Sequence, residues 1–373
     1  MAVSFVPERD EPVLGDQPFK LAVFGVNVSH GCSMSTAEGH IVADWKESVE
    51  LTLAAEKAGF DAMVPVARWK GFGGKTNFGH RSFETYAWAT GLAAKTEKIH
   101  IFSTSHVPTI HPILAAKQAA TIDHISNGRF GLNIVAGWNF PEINMFGTKQ
   151  KEHDERYKVA AEWISLIKQL WTLDGFFDFE GEFFAAKDCY AEPKPVQDPH
   201  PIVMSAGHSD AGRRFAMTHA DLLFAATSDP ETAPDLVKEI KKTAAQEYNR
   251  DLPVYGMASI VCRDTEDDAK RYFEYYVKEK GDRDAAGNML SVYMGNSQGH
   301  VGFDIEPLKD LMISGYGAMP QVGTAEQVVE GLAAMKDMGL DGVSISWLDY
   351  AEGISQYDEI LRPLMIEAGL RNA

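Results

Sequence analysis

The chain has 373 residues and a formal net charge of −18 at pH 7, and 45% of its residues are hydrophobic. The negative charge argues against nucleic acid or an anionic membrane as a partner. The sequence has no apolar run long enough for a transmembrane helix, no signal-peptide pattern at its acidic N-terminus, and three well-separated cysteines without a CxxC pair. We therefore expect a cytoplasmic protein without disulfides or a metal site.

After a polar N-terminal arm at residues 1–18, short apolar runs alternate with segments of helical periodicity. The runs predicted to be buried parallel strands are 19–28, 60–65, 99–104, 130–135, 201–206, 220–226, 252–262 and 342–347. Helices are predicted at 43–58, 83–94, 112–125, 153–172, 213–218, 230–248, 266–280, 324–338 and 354–368. Gly59 is predicted to cap the end of the first helix, and Thr324 the start of the eighth.

Two segments fall outside this alternation. Residues 176–186 carry an aromatic cluster around a Glu-Gly pair and are predicted to form a small inserted β-hairpin. Residues 281–322 lose periodicity, and so long an irregular segment in a compact domain is usually a lid or a mobile insertion. Eight strands alternating with helices are typical of a (β/α)₈ TIM barrel, whereas doubly wound sheets usually stop at about five to seven strands. We expect one α/β domain over residues 1–373.

A polar residue stands inside the fourth predicted strand. Asn133 interrupts an apolar run, and a buried amide is unfavourable by roughly 1–3 kcal/mol unless it is hydrogen-bonded. Gly137 and Trp138 follow directly, so the strand ends in a flexible residue and a large aromatic one. This pattern is typical of a ligand site at the carboxyl end of a barrel strand. The alternative is a structural amide that ties two strands together.

The fifth predicted strand leads into a Gly-His-Ser-Asp-Ala-Gly turn at residues 207–212 and then into a helix. Such a junction can bind phosphate through backbone N–H groups and the helix dipole, with Ser209 as a hydrogen-bonding partner. Alternatively, Ser209 or Asp210 serves only as a helix N-cap.

Other polar groups lie after predicted strands. Arg156 and Tyr157 open a helix and could face the barrel mouth, although a solvated first turn is the commoner arrangement. Glu142 could bind a ribityl hydroxyl or be solvated. Arg68 belongs to a Gly-rich loop with two lysines, which could meet an anion or be a surface turn. The absence of GxGxxG and GxSxG motifs argues against a Rossmann nicotinamide site and weakens a hydrolase, and the histidines lack metal-ligand spacing.

Taken together, these segments resemble the bacterial luciferase-like flavin-dependent monooxygenases. The resemblance rests on residues 127–138, 153–157 and 207–212 and covers roughly residues 19–275 and 320–367. Residues 71–76 and 115–123, with Trp138, are most similar to the pyrimidine (uracil) monooxygenase branch.

The resemblance implies a TIM barrel that uses reduced FMN from a separate reductase, with O₂ as co-substrate, in a homodimer or tetramer. By position in the family motifs, the residues that would contact FMN are Ala67, Arg68, Asn133, Glu142, Arg156, Tyr157 and Ser209. Arg156 and Ser209 would hold the phosphate. The residues that would surround the flavin N5 edge, where dioxygen binds, are Val64, Thr104, Asn133 and Trp138.

The implied substrate is a small organic molecule, with oxidative opening of a uracil-type ring favoured. Arg68 stands where the pyrimidine enzymes have lysine, which keeps oxygenation of a sulfone or sulfonate, with C–S cleavage, as an alternative. Two further alternatives are a deazaflavin-dependent dehydrogenase and a flavin-binding barrel without catalytic activity.

Overall fold

Eight parallel strands close into a barrel within the described part of a computed structural model, residues 14–295 and 305–373. The strands in these ranges are β1 Lys20–Phe24, β2 Ala62–Val64, β3 His100–His106, β4 Phe130–Val135, β5 Phe177–Glu180, β6 Ala185–Cys189, β7 Ile202–Ser205, β8 Leu222–Phe224, β9 Val254–Cys262, β10 Met319–Gly323 and β11 Gly342–Ser346. The wall runs β1-β2-β3-β4-β7-β8-β9-β11 and returns to β1. The predicted (β/α)₈ barrel and its eight strands are confirmed, and β5 pairs with β6 as the predicted antiparallel hairpin.

Helices connect and cover the strands. Their bounds in the described ranges are α1 Trp45–Ala58, α2 Thr85–Ala93, α3 Pro112–Ser126, α4 Phe140–Met145, α5 His153–Thr172, α6 Asp210–His219, α7 Ala233–Tyr248, α8 Glu266–Glu274, α9 Arg283–Met294, α10 Glu306–Gly315, α11 Ala325–Asp337, α12 Tyr350–Gln356 and α13 Arg362–Glu367. The predicted caps are confirmed: Gly59 ends α1 at φ 83°, and Thr324 accepts from the Gln327 amide at the start of α11. None of these helices is long and apolar enough to cross a membrane.

Strand side chains alternate between the barrel interior and the helices outside it. On β4, Phe130, Leu132 and Ile134 belong to the core beneath the helices. On the inner side, a Cβ on Gly131 would lie 2.3 Å from the ring of Phe102, so the glycine leaves room for that ring in the barrel core. Asn133 consequently lies one layer above an interior that is already filled.

The segment at residues 281–322 is more regular than its sequence indicates. Its described residues form α9, α10 and most of β10, so the prediction of an irregular segment is wrong for them. β10 pairs with residues 258–262 of β9, beyond the point where β8 pairs with that nine-residue strand. Glycines within and at the end of the two helices weaken the helical signal, which explains the missed elements.

An ion pair closes the amino-terminal end of the barrel. The Arg371 guanidinium donates to the Phe19 carbonyl at 2.9 Å and to the Asp61 carboxylate at 2.5 Å. Burial raises the pKa of Asp61, although Arg371 opposes that shift. Leu14 is buried in the barrel core near this end, while residues 1–13 of the predicted arm lie outside the described residues.

Candidate functional site

A cleft, here called the rim cleft, opens at the carboxyl ends of the barrel strands. Neighbouring strands contribute Val64, Thr104, Asn133 and Met204 to its wall. Thr104 is the register partner of Asn133 on one side, and Met204 is its partner on the other. Because inward positions of parallel strands meet in layers, these residues form the top layer of the barrel interior.

Asn133 is held by Thr104 and keeps one polar atom available. The Thr104 hydroxyl donates to the Pro65 carbonyl at 2.6 Å, so its oxygen accepts from Asn133 Nδ2 at 3.1 Å. This orientation leaves the buried Asn133 Oδ1 without a hydrogen-bond partner among the described residues. Asn133 thus ties two strands together and also presents an acceptor for an N–H or O–H group of a ligand.

Aromatic rings from three separate segments form a roof over the rim cleft. Trp138, after β4, stacks on Phe72 with an angle of 8° between the rings and lies 4.4 Å from the Tyr293 ring of α9, centroid to centroid. Trp138 and Tyr293 line the cleft together with Tyr316, which follows α10. The roof gives the cleft an apolar face opposite the polar layer of Thr104 and Asn133.

Hydrogen bonds join the Gly-rich loop after β2 to the inserted helices. The buried Asp282 carboxylate accepts from the Thr76 amide at 2.6 Å and from its hydroxyl at 2.8 Å. Asn288 donates to the Phe72 carbonyl at 2.7 Å. A Cβ on Gly74 would lie 2.4 Å from the Asp282 carboxylate, so this contact requires glycine in the loop.

Arg156 turns toward the other end of the cleft and is not a solvated residue of a first helical turn. Only 7% of it is exposed, and its Nη1 donates to the Gly137 carbonyl at 2.6 Å. Gly137 has φ 98° and packs so closely on Pro108 that a Cβ would lie 2.9 Å from the proline ring. The buried Arg156 Nε has no partner among the described residues, which leaves a charged donor for a ligand.

Ser209 caps helix α6 beside Arg156. Its hydroxyl accepts from the Gly212 amide at 3.2 Å, so Ser209 is the N-cap of α6, and its role in phosphate binding stays a prediction. A Cβ on Gly207 would lie 2.6 Å from the Gly212 Cα, and one on Gly212 would lie 2.7 Å from the Tyr157 hydroxyl. Arg156, Tyr157 and Ser209 line one end of the cleft together. The Arg156 guanidinium and the backbone N–H groups at the start of α6, where Gly207 and Gly212 allow a close approach, are hydrogen-bond donors that suit a phosphate.

Glu142 is placed behind the cleft wall and does not line the cleft. It is fully buried, and its Oε1 accepts from Arg68 Nη1 at 3.3 Å and from the backbone amides of Trp69 and Lys70 at 2.8 and 3.1 Å. The carboxylate therefore holds the loop that carries Arg68. Of the three cations in this loop, Lys70 and Lys75 are exposed and Arg68 is buried.

His106 lies on the other side of this carboxylate, with its Nδ1 3.6 Å from Glu142 Oε2. Burial lowers the pKa of His106 to about 4, against the opposing effect of Glu142, so the imidazole is neutral at pH 7 and the contact is not an ion pair. The residues described in the structure contain no cluster of His, Cys, Asp or Glu side chains arranged to hold a metal ion.

The structure brings every proposed site residue except Glu142 to the cleft, and it adds residues that we did not assign. Among the additions are Phe24, His106, Met204, Phe224, Met257, Tyr293 and Tyr316. The strand residues among them occupy inward positions near carboxyl ends, a signal that the alternation of side chains could have given. Tyr293 and Tyr316 come from the insertion, whose sequence carries no comparable signal.

Comparison with known proteins agrees with this geometry. The family model described as "Luciferase-like monooxygenase" matches residues 23–342. Among the relatives named pyrimidine monooxygenase RutA, the protein from Variovorax paradoxus is 32% identical over 326 residues, covering 85% of this chain and 86% of its own. The relative from Escherichia coli O81 is 31% identical over 369 residues, with 96% and 93% coverage.

Solved structures share the fold at lower identity. Riboflavin lyase RcaE, solved with modified FMN and the substrate riboflavin, has a TM-score of 0.86 and 18% identity and covers 95% of this chain and 93% of its own. The long-chain alkane monooxygenase LadA has a TM-score of 0.83 and 20% identity, with 96% and 93% coverage. Because the family model spans most of the sequence, this chain belongs to the luciferase-like monooxygenase family.

Proposed function

We propose that this protein is a two-component monooxygenase that takes reduced FMN from a separate reductase and uses O₂ to oxygenate a small organic substrate. A pyrimidine of the uracil type is the favoured substrate, since the relatives described above are named pyrimidine monooxygenases. A sulfone or sulfonate is the second candidate, because Arg68 adds a buried cation to the cleft wall. We expect a homodimer or tetramer.

One observation carries the proposal: unsatisfied polar atoms belong to residues that line two adjoining cavities at the barrel rim. Asn133 Oδ1 and Arg156 Nε are both buried and lack partners among the described residues. The cavities that contain them share Val135, Trp138 and Tyr293 in their walls. An elongated ligand with a planar ring that carries N–H groups at one end and a phosphate at the other, as in FMN, would satisfy both atoms.

Separate groups of residues would hold the two ends of FMN. Arg156 and the amides near Ser209 would bind the phosphate, with Tyr157 as a neutral donor because burial raises the pKa of its phenol. Asn133 would accept a hydrogen bond from the ring, while Val64 and Ala67 give the ring apolar contacts at the cleft wall. In this arrangement Glu142 acts indirectly, through the position of Arg68.

When bound, reduced FMN would supply the electrons that activate dioxygen. The chain's own residues would control what surrounds that reaction. Trp138 and Tyr293 would exclude water, which protects reactive species from side reactions. Thr104 would keep the Asn133 amide oriented toward the ring edge through the hydrogen bond between them.

The test combines flavin binding, oxygen consumption and product analysis. FMN is titrated by its fluorescence; then reduced FMN from a generic reductase is supplied in air with uracil, thymine, dimethyl sulfone or methanesulfonate. Mass spectrometry of an ¹⁸O₂ reaction should find one labelled oxygen atom in the product. Hydride transfer from a reduced deazaflavin without oxygen uptake would support the dehydrogenase instead. Tight FMN binding without any product would support the non-catalytic barrel.

A further inference from the structure

Arg68 is held between an acid and a phenol at the wall of the rim cleft. Its side chain is 2% exposed, and its Nη2 donates to the Tyr316 hydroxyl at 2.8 Å while Nη1 donates to Glu142. The guanidinium carbon lies 4.7 Å from the Phe72 ring centre and 5.4 Å from that of Trp138. Hydrogen bonds and ring contacts from four residues thus fix the position of a single cation.

The positive charge of Arg68 is balanced inside the protein. Burial acts to lower the pKa of Arg68, but Tyr316 and Glu142 outweigh it and raise the pKa above its ordinary value. Glu142 supplies the counter-charge, and His106 adds none because burial lowers its pKa to about 4. Lys70 is exposed. This part of the wall offers strong hydrogen-bond donors without a net charge.

Tyr316 has the properties of a residue positioned for a ligand. It is the C-cap of α10 with φ 61°, a left-handed conformation that is uncommon for a bulky side chain and that fixes the position of the residue at the helix end. Because its oxygen accepts the Arg68 hydrogen bond, its own hydrogen remains available to another acceptor. A guanidinium has five N–H donors, and two of its nitrogens each bind one partner among the described residues. Arg68 and Tyr316 both line the cleft that contains Asn133.

We propose that Arg68 and Tyr316 together bind an uncharged oxygen acceptor of the substrate, either a ring carbonyl or a sulfone oxygen, and that Glu142 positions Arg68 and cancels its charge. This inference rests on the proposed function and makes it more specific, because it favours neutral substrates over sulfonates and other anions. An anion at this position would lack a net countercharge and would lose its water shell on entering an aromatic cleft.

Two pairs of small molecules separate the effect of ligand charge on affinity from the effect of ligand shape. Dimethyl sulfone and methanesulfonate have similar size, and uracil and barbiturate share a ring, but the second member of each pair is an anion at neutral pH. Their dissociation constants are measured by calorimetry on the protein loaded with reduced FMN under nitrogen. The neutral member of at least one pair should bind about tenfold more tightly than its anion. The pair that shows this preference identifies the acceptor as a carbonyl or a sulfone oxygen.

Variants test the two roles. Tyr316→Phe should weaken the neutral probe by roughly tenfold and leave FMN affinity unchanged. Glu142→Gln keeps an acceptor for the Trp69 and Lys70 amides but removes the counter-charge, so it should shift the preference toward the anion by about tenfold. Tyr272→Phe is the control, since Tyr272 also lies against an arginine but outside the cleft: the Arg263 guanidinium carbon is 4.0 Å from the centre of its ring.

The outcomes test the substrate-binding role of Arg68 and Tyr316 separately from the proposed monooxygenase function. The inference is overturned if both anions bind the wild type at least as tightly as the neutral probes, if neither neutral probe binds, or if Tyr316→Phe and Glu142→Gln behave like the control. Binding of reduced FMN alone is measured in parallel by calorimetry under nitrogen. A wild-type protein that does not bind reduced FMN overturns the proposed function itself, whereas normal binding of reduced FMN with an unaltered probe preference in the variants overturns only the role of Arg68 and Tyr316.

Discussion

Asn133 donates its side-chain amide to the hydroxyl of Thr104, its register partner on the adjacent strand, at 3.1 Å. The two residues are fixed by a chain of hydrogen bonds that ends at a backbone carbonyl and not at another mobile side chain. A ligand group that meets the free Asn133 oxygen therefore meets an atom whose position is set before binding, which is what efficient electrostatic catalysis requires.

Replacing Asn133 with alanine should uncouple oxygen consumption from product formation. The phosphate end of the cleft is unchanged, so FMN should bind within a few-fold of the wild-type affinity. We expect the product formed per O₂ consumed to fall about tenfold or more, with hydrogen peroxide accounting for the difference. Asn144→Ala, at an exposed position on α4, is the control. An unchanged product yield in Asn133→Ala would rule out this role.

Replacing Arg156 with alanine should weaken FMN binding by roughly ten- to a hundredfold, because a buried charge-assisted contact with the phosphate is lost. Riboflavin has no phosphate, so its affinity should change little in the same variant. Arg214→Ala removes an exposed cation from α6 and should alter neither affinity. Equal losses for FMN and riboflavin would mean that Arg156 acts by supporting the loop at Gly137.

His106 should make the free energy of unfolding depend on pH below neutrality. Its pKa in the folded protein is about 4, below the ordinary 6.5, so the unfolded chain binds the proton first as the pH falls. Between pH 7 and pH 5 this group alone should reduce the free energy of unfolding by about 2 kcal/mol. Urea unfolding of His106→Asn should show a correspondingly smaller loss, with exposed His111→Asn as the control. The same pH dependence in His106→Asn and wild type would contradict the assignment.

Replacing Arg371 with alanine should lower the free energy of unfolding by about 3–5 kcal/mol, because Asp61 would keep a buried charge without its partner. Arg362→Ala removes a partly exposed arginine whose contact with Asp358 measures 3.6 Å, and it should cost less than about 1 kcal/mol. Denaturant titration of both variants gives the comparison. Similar small losses would show that solvent reaches Asp61 and compensates for the missing charge.

The sequence predicted the barrel because each strand is a short apolar run followed by a turn and an amphipathic helix. It also pointed to Asn133 and Ser209, since polar residues just after or within such runs meet at one rim. Arg156 was assigned only through the family resemblance, because its place in a first helical turn is more often solvated. The sequence did not predict that Glu142 lies behind the cleft wall, because the local sequence around a glutamate is the same whether its side chain faces the cleft or lies behind it. Its partners Trp69 and Lys70 are more than 70 residues away in sequence.

The helices of the insertion were missed for a related reason. Some of the hydrogen bonds that hold α9 come from distant residues, such as the Thr76 hydrogen bonds to Asp282 across 206 positions. The local hydrophobic periodicity of a sequence does not reveal contacts with distant residues. Tyr293 and Tyr316 could therefore not be assigned to the cleft before the structure was known.

The carboxylate of Asp282 also couples the Gly-rich loop to the inserted helices. It caps α9 through the Ala285 amide while it holds both polar groups of Thr76. The Gly-rich loop and the inserted helices therefore cannot hinge independently without breaking a buried junction. If a ligand enters by displacement of these segments, the loop and the helices would have to move together. Weakening the Asp282–Thr76 contact would then change the rates of ligand binding and release but not the residues that line the cleft.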